Sequence, residues 1–166
     1  ANLVVLPYFT MTGTPYLTSD AVGVCLGLRL DTNRWELARA VMEGVAYEMR
    51  LNQDLLAQAG VEVTEYRGIG GVAKSDLWMQ IFADVLDRPV TVLKATEGAC
   101  WGAALLAAAG LGKLDRPDEF ARRTVRTGKT YRPRPEVRDR YDQRLDVYRK
   151  VYPATRQLLR QVAQLG

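Results

Sequence analysis

The sequence predicts an α/β domain with helical material added at its C-terminal end. Three observations carry this reading. Short strand patterns alternate with amphipathic helical patterns from Gly23 to Ala109, as in a sheet flanked by helices. The stretch GIGGVAKSDLWMQIFADVL, Gly68 to Leu86, places three glycines within four positions directly ahead of a helical pattern. Beyond Leu111 the chain turns polar and basic. At 166 residues it suits one domain with a real core.

The elements follow in order. LPYFTMTGTPYLTSDAVG is rich in Gly, Pro, Thr and Ser and reads as an ordered loop. GVCLGLRL alternates enough for a short strand. Asp31 or Asn33 offers a helix N-cap, and Asn33 with Glu36 has the spacing of a capping box. Ala38, Val41, Met42, Val45, Ala46 and Met49 form the expected buried stripe of a long helix ending near Gly60. A strand is expected around Tyr66 to Ile69, then the glycine turn, then a helix from about Ser75. Its apolar face is Leu77, Trp78, Ile81, Phe82, Val85 and Leu86. Pro89 restarts the chain as a strand, VTVL. Gly98 to Ala109 reads as a third helix, so rich in Gly and Ala that a neighbour should pack closely on it. A short helix is expected from Pro117, capped by Asp115. RPRP at 132–135 reads as a spacer, and a long polar helix follows to the end, interrupted at Pro153.

Composition narrows the function classes. The apolar fraction of 48% and charged fraction of 25% suit a soluble globular protein, and no apolar run approaches the ~20 residues of a membrane helix. ANLVVLPYF has no basic region and no initiating Met, so it reads as the middle of a longer protein rather than a signal peptide. The chain has no histidine, which removes Ser-His triads and most zinc sites. Cys25 and Cys100 form no CxxC pair and read as two buried thiols in a reduced cytosol. Residues 1–112 hold 8 basic and 12 acidic side chains, net −4, and residues 113–166 hold 15 and 7, net +8. Charges alternate in sign along RPEVRDRYDQRLDVYRK, as on a solvated helix laced with i,i+4 pairs, which argues against nucleic-acid binding.

A strand that stops at Gly-Gly and re-enters as a helix leaves unpaired N–H groups that suit an anion. Missing side chains also let a ring or phosphate come close. Ser75 can cap the helix or give its hydroxyl to a ligand. The spacing is neither GxGxxG with a following acid nor GxxxxGK[ST], so spacing alone favours a plain strand–helix turn.

GGVAKSDLWMQIFADVLDRPV followed by EGACWGAALLAAAGLG resembles the C-terminal domain of the FGGY family of carbohydrate kinases, xylulokinase-like members most of all. There a GG-x-x-x-S/N turn into a helix is the adenosine motif. LPYFTMTGTPYLTSDAVGVCLGL, the helix RWELARAVMEGVAYEMRLNQDLL and the late aromatics Tyr131, Tyr141, Tyr148 and Tyr152 also resemble family segments, in the family's order. Where the family often has Gly-Glu-Arg, this sequence reads MTG at 11–13.

The resemblance implies an actin-like (ribonuclease H-like) ATPase fold, a mixed sheet flanked by helices. Residues 1–112 would be the nucleotide-binding domain, incomplete at its start, and 113–166 its helical extension. It implies the nucleotide-binding part of an ATP-dependent kinase acting on xylulose or a related ketose or polyol, with ATP and Mg²⁺ as cofactors. A non-catalytic actin-like ATP-binding module is the alternative. Gly70 and Gly71 match the adenosine glycines, Ser75 the polar position that reaches adenine, and Lys74 is expected at solvent or near phosphate. Glu97 matches an acidic residue before the last core helix, in a structural role. Glu43 and Arg50 are expected in buried or interdomain polar contacts. The catalytic Asp, the phosphate loops, most sugar contacts and most of the metal's ligands would lie outside this chain, so none of its acids is the base. A cytoplasmic location is expected, with a homodimer among the assemblies left open.

Overall fold

The computed structural model describes residues 2–19, 22–94 and 98–165. β1 (Val4–Leu6) pairs antiparallel with β2 (Val24–Leu26), placing Val5 opposite Cys25. β1 is absent from the loop reading of the N-terminal segment. A second sheet has the order β3-β4-β5. β3 (Tyr66–Gly68) runs parallel to β4 (Val90–Leu93), with Arg67 opposite Thr91. β5 (Thr127–Tyr131) runs antiparallel to β4, with an irregularity between Thr91 and Leu93. The helical expectation for 113–166 omitted β5.

α1 (Arg34–Gln58) begins at the expected capping box. Asn33 Oδ1 accepts from the amides of Trp35 and Glu36, and Glu36 Oε2 accepts from Asn33 N. The expected stripe is only partly right. Ala46 is buried, Val41, Met42, Val45 and Met49 are half-buried, and Ala38 is exposed. The deepest positions include Ala40, Glu43, Gly44, Tyr47 and Gln53, because α1 is gripped from several sides. A Cβ on Gly44 would lie 2.3 Å from Val5 O, so only glycine lets α1 lie this close to β1.

α2 (Asp76–Leu86) is buried over most of its circumference from Met79 onward. Leu77, expected on its apolar face, is half exposed, and Trp78 is half-buried. α1 side chains satisfy its last carbonyls: Arg50 Nη1 donates to Val85 O at 2.8 Å and Gln53 Nε2 to Leu86 O at 3.3 Å. α3 (Gly98–Gly110) has no buried residue, so the close neighbour expected for it is missing among the described residues. Its Trp101 packs on Phe120 of α4 (Pro117–Thr124) with centroids 6.3 Å apart. The N-cap of α4 is Arg116, with no side-chain cap bond, rather than Asp115. Arg116 pairs instead with Asp118 and Glu119 of the first turn.

α5 (Pro135–Ala163) differs most from its polar, solvated reading. It runs through Pro153 without a break, and Tyr141, Leu145, Tyr148, Val151, Tyr152 and Leu159 are buried. Tyr152 and Leu159, on either side of the proline, hold the helix to the core despite the lost hydrogen bond. Some charges pair within the helix, as Arg149 with Asp146. Others reach across it: Arg138 to Asp87, Arg144 to Glu43 and Arg149 to Asp54. The RPRP segment is an anchor rather than a spacer. Arg134 donates to the fully buried Asp84 carboxylate through its amide at 3.0 Å and Nη2 at 2.7 Å. Neither cysteine is fully buried: Cys25 is half-buried and Cys100 exposed. Among the described residues no helix is long and apolar enough to cross a membrane.

Tyrosines tie the N-terminal segment to α1 and α5. The hydroxyls of Tyr8 and Tyr148 both donate to Glu48 Oε1, and the Tyr8 and Tyr152 rings meet edge to face at 5.4 Å. Burial and the neighbouring Glu48 carboxylate push both hydroxyls well above the ordinary tyrosine value. Burial also pushes the Glu48 carboxyl above its ordinary 4.5, against the two tyrosine hydrogen bonds that pull it down.

Two predictions follow from this packing. Arg134→Ala removes the guanidinium that neutralises the buried Asp84 carboxylate and leaves it only the residue-134 amide and Gln80 Nε2 as donors. The expected loss is about 3 kcal/mol, the low end for a broken buried pair because Arg134 is partly exposed. Thermal unfolding should show Tm lower by roughly 6–12 °C, and a loss below about 1 kcal/mol would mean water replaces the arginine. For Glu48, a folded pKa above the unfolded one gives stability fully present below about pH 4.5 and lost as pH rises through the raised value. Glu48→Gln should therefore match or exceed the parent's Tm at pH 7 and lose that advantage below about pH 4.5. A gap that does not change with pH would show that burial does not strain the carboxylate.

Candidate functional site

The parallel strands β3 and β4 end side by side, with Gly68 opposite Val92. The chain leaves the first toward α2 and the second toward α3. The space beyond the carboxyl ends of parallel strands is where open α/β sheets bind ligands.

Between β3 and α2 lie Ile69, Gly70, Gly71 and a 3₁₀ turn, Val72–Lys74. Gly70 has φ +74, a left-handed conformation that favours glycine, whereas Gly71 is right-handed at φ −62 and ψ −38. A Cβ on either would meet no protein atom within 4 Å. Two nearby glycines are of another kind. A Cβ on Gly68 would lie 3.0 Å from Met79 Sδ, and one on Gly98 3.3 Å from Ile69 Cδ1. Gly68 and Gly98 therefore serve packing, while Gly70 and Gly71 face open space.

The 3₁₀ turn uses some of the donors expected at a helix start. Lys74 N donates to Gly71 O and Ser75 N to Val72 O, both at 3.1 Å. The orphan amides of such a turn lie at its beginning, from Gly71 to Ala73. Ser75 is the N-cap of α2, its Oγ accepting from Trp78 N at 3.3 Å, which leaves its O–H free to donate. Lys74 is exposed. All four expected site residues thus occupy one continuous turn.

One neighbour of this turn was not anticipated. Asp76, in the first turn of α2, accepts from Lys129 Nζ at 2.7 Å and from Tyr131 Oη at 2.6 Å. Lys129 also lies 4.6 Å from the Tyr131 ring centroid. The Lys129 hydrogen bond, with that of Tyr131, holds the Asp76 carboxyl below its usual range, and Asp76 holds the lysine above its own. Lys129 brings positive charge from β5, 53 residues away in sequence. TGKTY has no period-2 apolar pattern, and the available signal was only the β propensity of Thr127, Thr130 and Tyr131.

Glu43 and Arg50 take no part in the turn. Glu43 is buried and bonded by Arg39, Tyr141 and Arg144, and Arg50 pairs with Asp54 and caps α2. Glu97 lies outside the described residues. Among the described residues no cluster of three or more His, Cys, Asp or Glu could hold a metal ion.

The sequence profile of the FGGY family of carbohydrate kinases, C-terminal domain, matches residues 1–111. A xylulose kinase of Staphylococcus epidermidis is 33% identical over 157 residues, 95% of this chain and 32% of that protein. A glycerol kinase of Deinococcus radiodurans is 36% identical over 121 residues, 72% of this chain and 24% of that protein. The crystal structure of a xylulose kinase from Rhodospirillum rubrum is similar at a TM-score of 0.77 and 35% identity, over 95% of this chain and 31% of that one. This chain spans about a third of the length of the curated relatives it matches.

Proposed function

The chain belongs to the FGGY family of carbohydrate kinases, as its C-terminal domain, and we propose that it is the nucleotide-binding part of an ATP-dependent kinase acting on a sugar hydroxyl. Xylulose or a related ketose or polyol is the substrate class. The observation that carries this reading is the open turn at Gly70 and Gly71, where the missing side chains face space rather than protein. The glycines let adenosine lie against the backbone, and the Ser75 hydroxyl has a proton to offer the adenine. Lys74, exposed beside them, supplies positive charge toward the phosphates. ATP supplies the phosphoryl group, and Mg²⁺ neutralises charge on its phosphates, held mostly by groups outside this chain. The cap at Ser75 and the buried body of α2 hold the turn in place, so little ordering remains for binding to accomplish. Residues 1–112 and 113–166 are read as one domain, since β5 and α5 of the second part complete the sheet and core of the first. The reading places the protein in the cytoplasm, where ATP and Mg²⁺ are at hand.

Gly71→Val in the complete enzyme tests the site. A side chain there meets no protein atom and its backbone is unstrained, so the fold should accept it. The branched side chain would fill the adenosine's space, raising KM for ATP about tenfold or more, a loss of ~1.4 kcal/mol. Sugar affinity and Tm should hold. Unchanged ATP affinity in the folded variant would reduce the glycines to a turn. The 166-residue chain alone should show no sugar kinase turnover, because phosphoryl transfer needs base, metal, ATP and hydroxyl aligned in one cleft. Turnover of roughly 1–100 per second with ATP, Mg²⁺ and a panel of ketoses would overturn the assignment of the base to the rest of the protein.

A further inference from the structure

We infer that Lys129 acts through Asp76 as a positioning residue for ATP, fixing and cancelling a carboxylate that would otherwise repel the nucleotide from the Gly70–Gly71 turn. The inference rests on the nucleotide reading of that turn. From Gly68 to Gln80 the chain carries two charges, Lys74 and Asp76, which cancel each other. An acid in the first turn of α2 suits the helix dipole. It also sets a negative charge next to Ser75, beside a ligand that bears several of its own.

β5 removes that conflict. Lys129 and Tyr131, two apart on the strand, turn the same face to α2, while Thr130 between them bonds Thr91. Lys129 Nζ lies 2.7 Å from one Asp76 oxygen and Tyr131 Oη 2.6 Å from the other, so each oxygen has its own donor. The buried Tyr131 fixes the carboxylate, and Lys129, over the tyrosine ring, cancels its charge. Lys74 and Lys129 against Asp76 leave the neighbourhood of the turn with one net positive charge.

The pair is a poor stabiliser of the fold. The Lys129 and Asp76 side chains are 60% and 75% exposed, and exposed ion pairs contribute little to folding. Among the described residues no other cation pairs with Asp76. Its charge matters to the turn instead. At about 2 Å of rise per residue, Gly71 and Asp76 lie on the order of 10 Å apart, which is roughly the reach of a charge at 0.1 M salt.

The test uses the complete enzyme that carries this sequence. Lys129→Met keeps the aliphatic stem and removes the charge. At low salt it should raise KM for ATP about two- to fivefold, while KM for the sugar and Tm hold. Lys129→Arg should behave as the parent. Adding Asp76→Asn to Lys129→Met restores the parent's net charge and should bring KM for ATP back toward the parent value. A contact that only props the helix predicts a double variant no better than Lys129→Met. That result, or an unchanged KM in Lys129→Met beside a raised one in Gly71→Val, would overturn the inference. An unchanged KM in both would remove the nucleotide reading itself, and this inference with it.

Discussion

The burial of two carboxylates beneath a polar helix is the constraint on which the other packing depends. Glu43 of α1 and Asp84 of α2 are both out of water, and a buried charge is tolerated only when paired and hydrogen-bonded. The approach to α5 and the helix itself supply the partners. Arg134 takes Asp84, while Tyr141 and Arg144 join Arg39 on Glu43. The contacts from Arg134, Tyr141 and Arg144 bridge 50 to 101 residues of sequence. They fix α5 across α1 and α2 and so orient the helix that carries the candidate turn.

The same clamp connects the sheet to the turn. β5 leads into Arg132–Arg134, where Gln80 Nε2 of α2 donates to Arg132 O at 2.9 Å. With its C-terminal part held by Asp84 and its start capped by Ser75, α2 presents the turn as a fixed feature. Lys129 reaches Asp76 because β5 pairs with β4 in the stretch that leads into α5. The positive charge near the turn is thus a consequence of how the core closes.

The glycines show why composition alone is ambiguous. Gly44 is required by a backbone 2.3 Å from where its Cβ would be, and Gly68 by Met79. Gly70 is required by its own φ, and Gly71 by neither, since a Cβ there would be free of contacts. In the sequence all four are simply glycine. A Cβ would be as free at Gly13, Gly102 and Gly110, so what sets Gly71 apart is its place just beyond the carboxyl end of β3.

Much of the α/β fold and the location of the turn could be read from residues because their causes are local. The Asn33–Glu36 capping box, the Ser75 cap, the β3–turn–α2–β4 succession and the stop near Gly60 rest on chemistry within a few residues. The actin-like reading of the fold came from motifs with the same short reach. Tertiary structure decided the rest. It chose Glu43 and Tyr47 over Ala38 as buried positions of α1, kept α5 helical through Pro153, and made a strand of TGKTY. Each of these depends on partners far away in sequence, whose packing overrides local preference. Local hydrogen bonds set where each segment starts and stops, and long-range burial set which face of it turns inward.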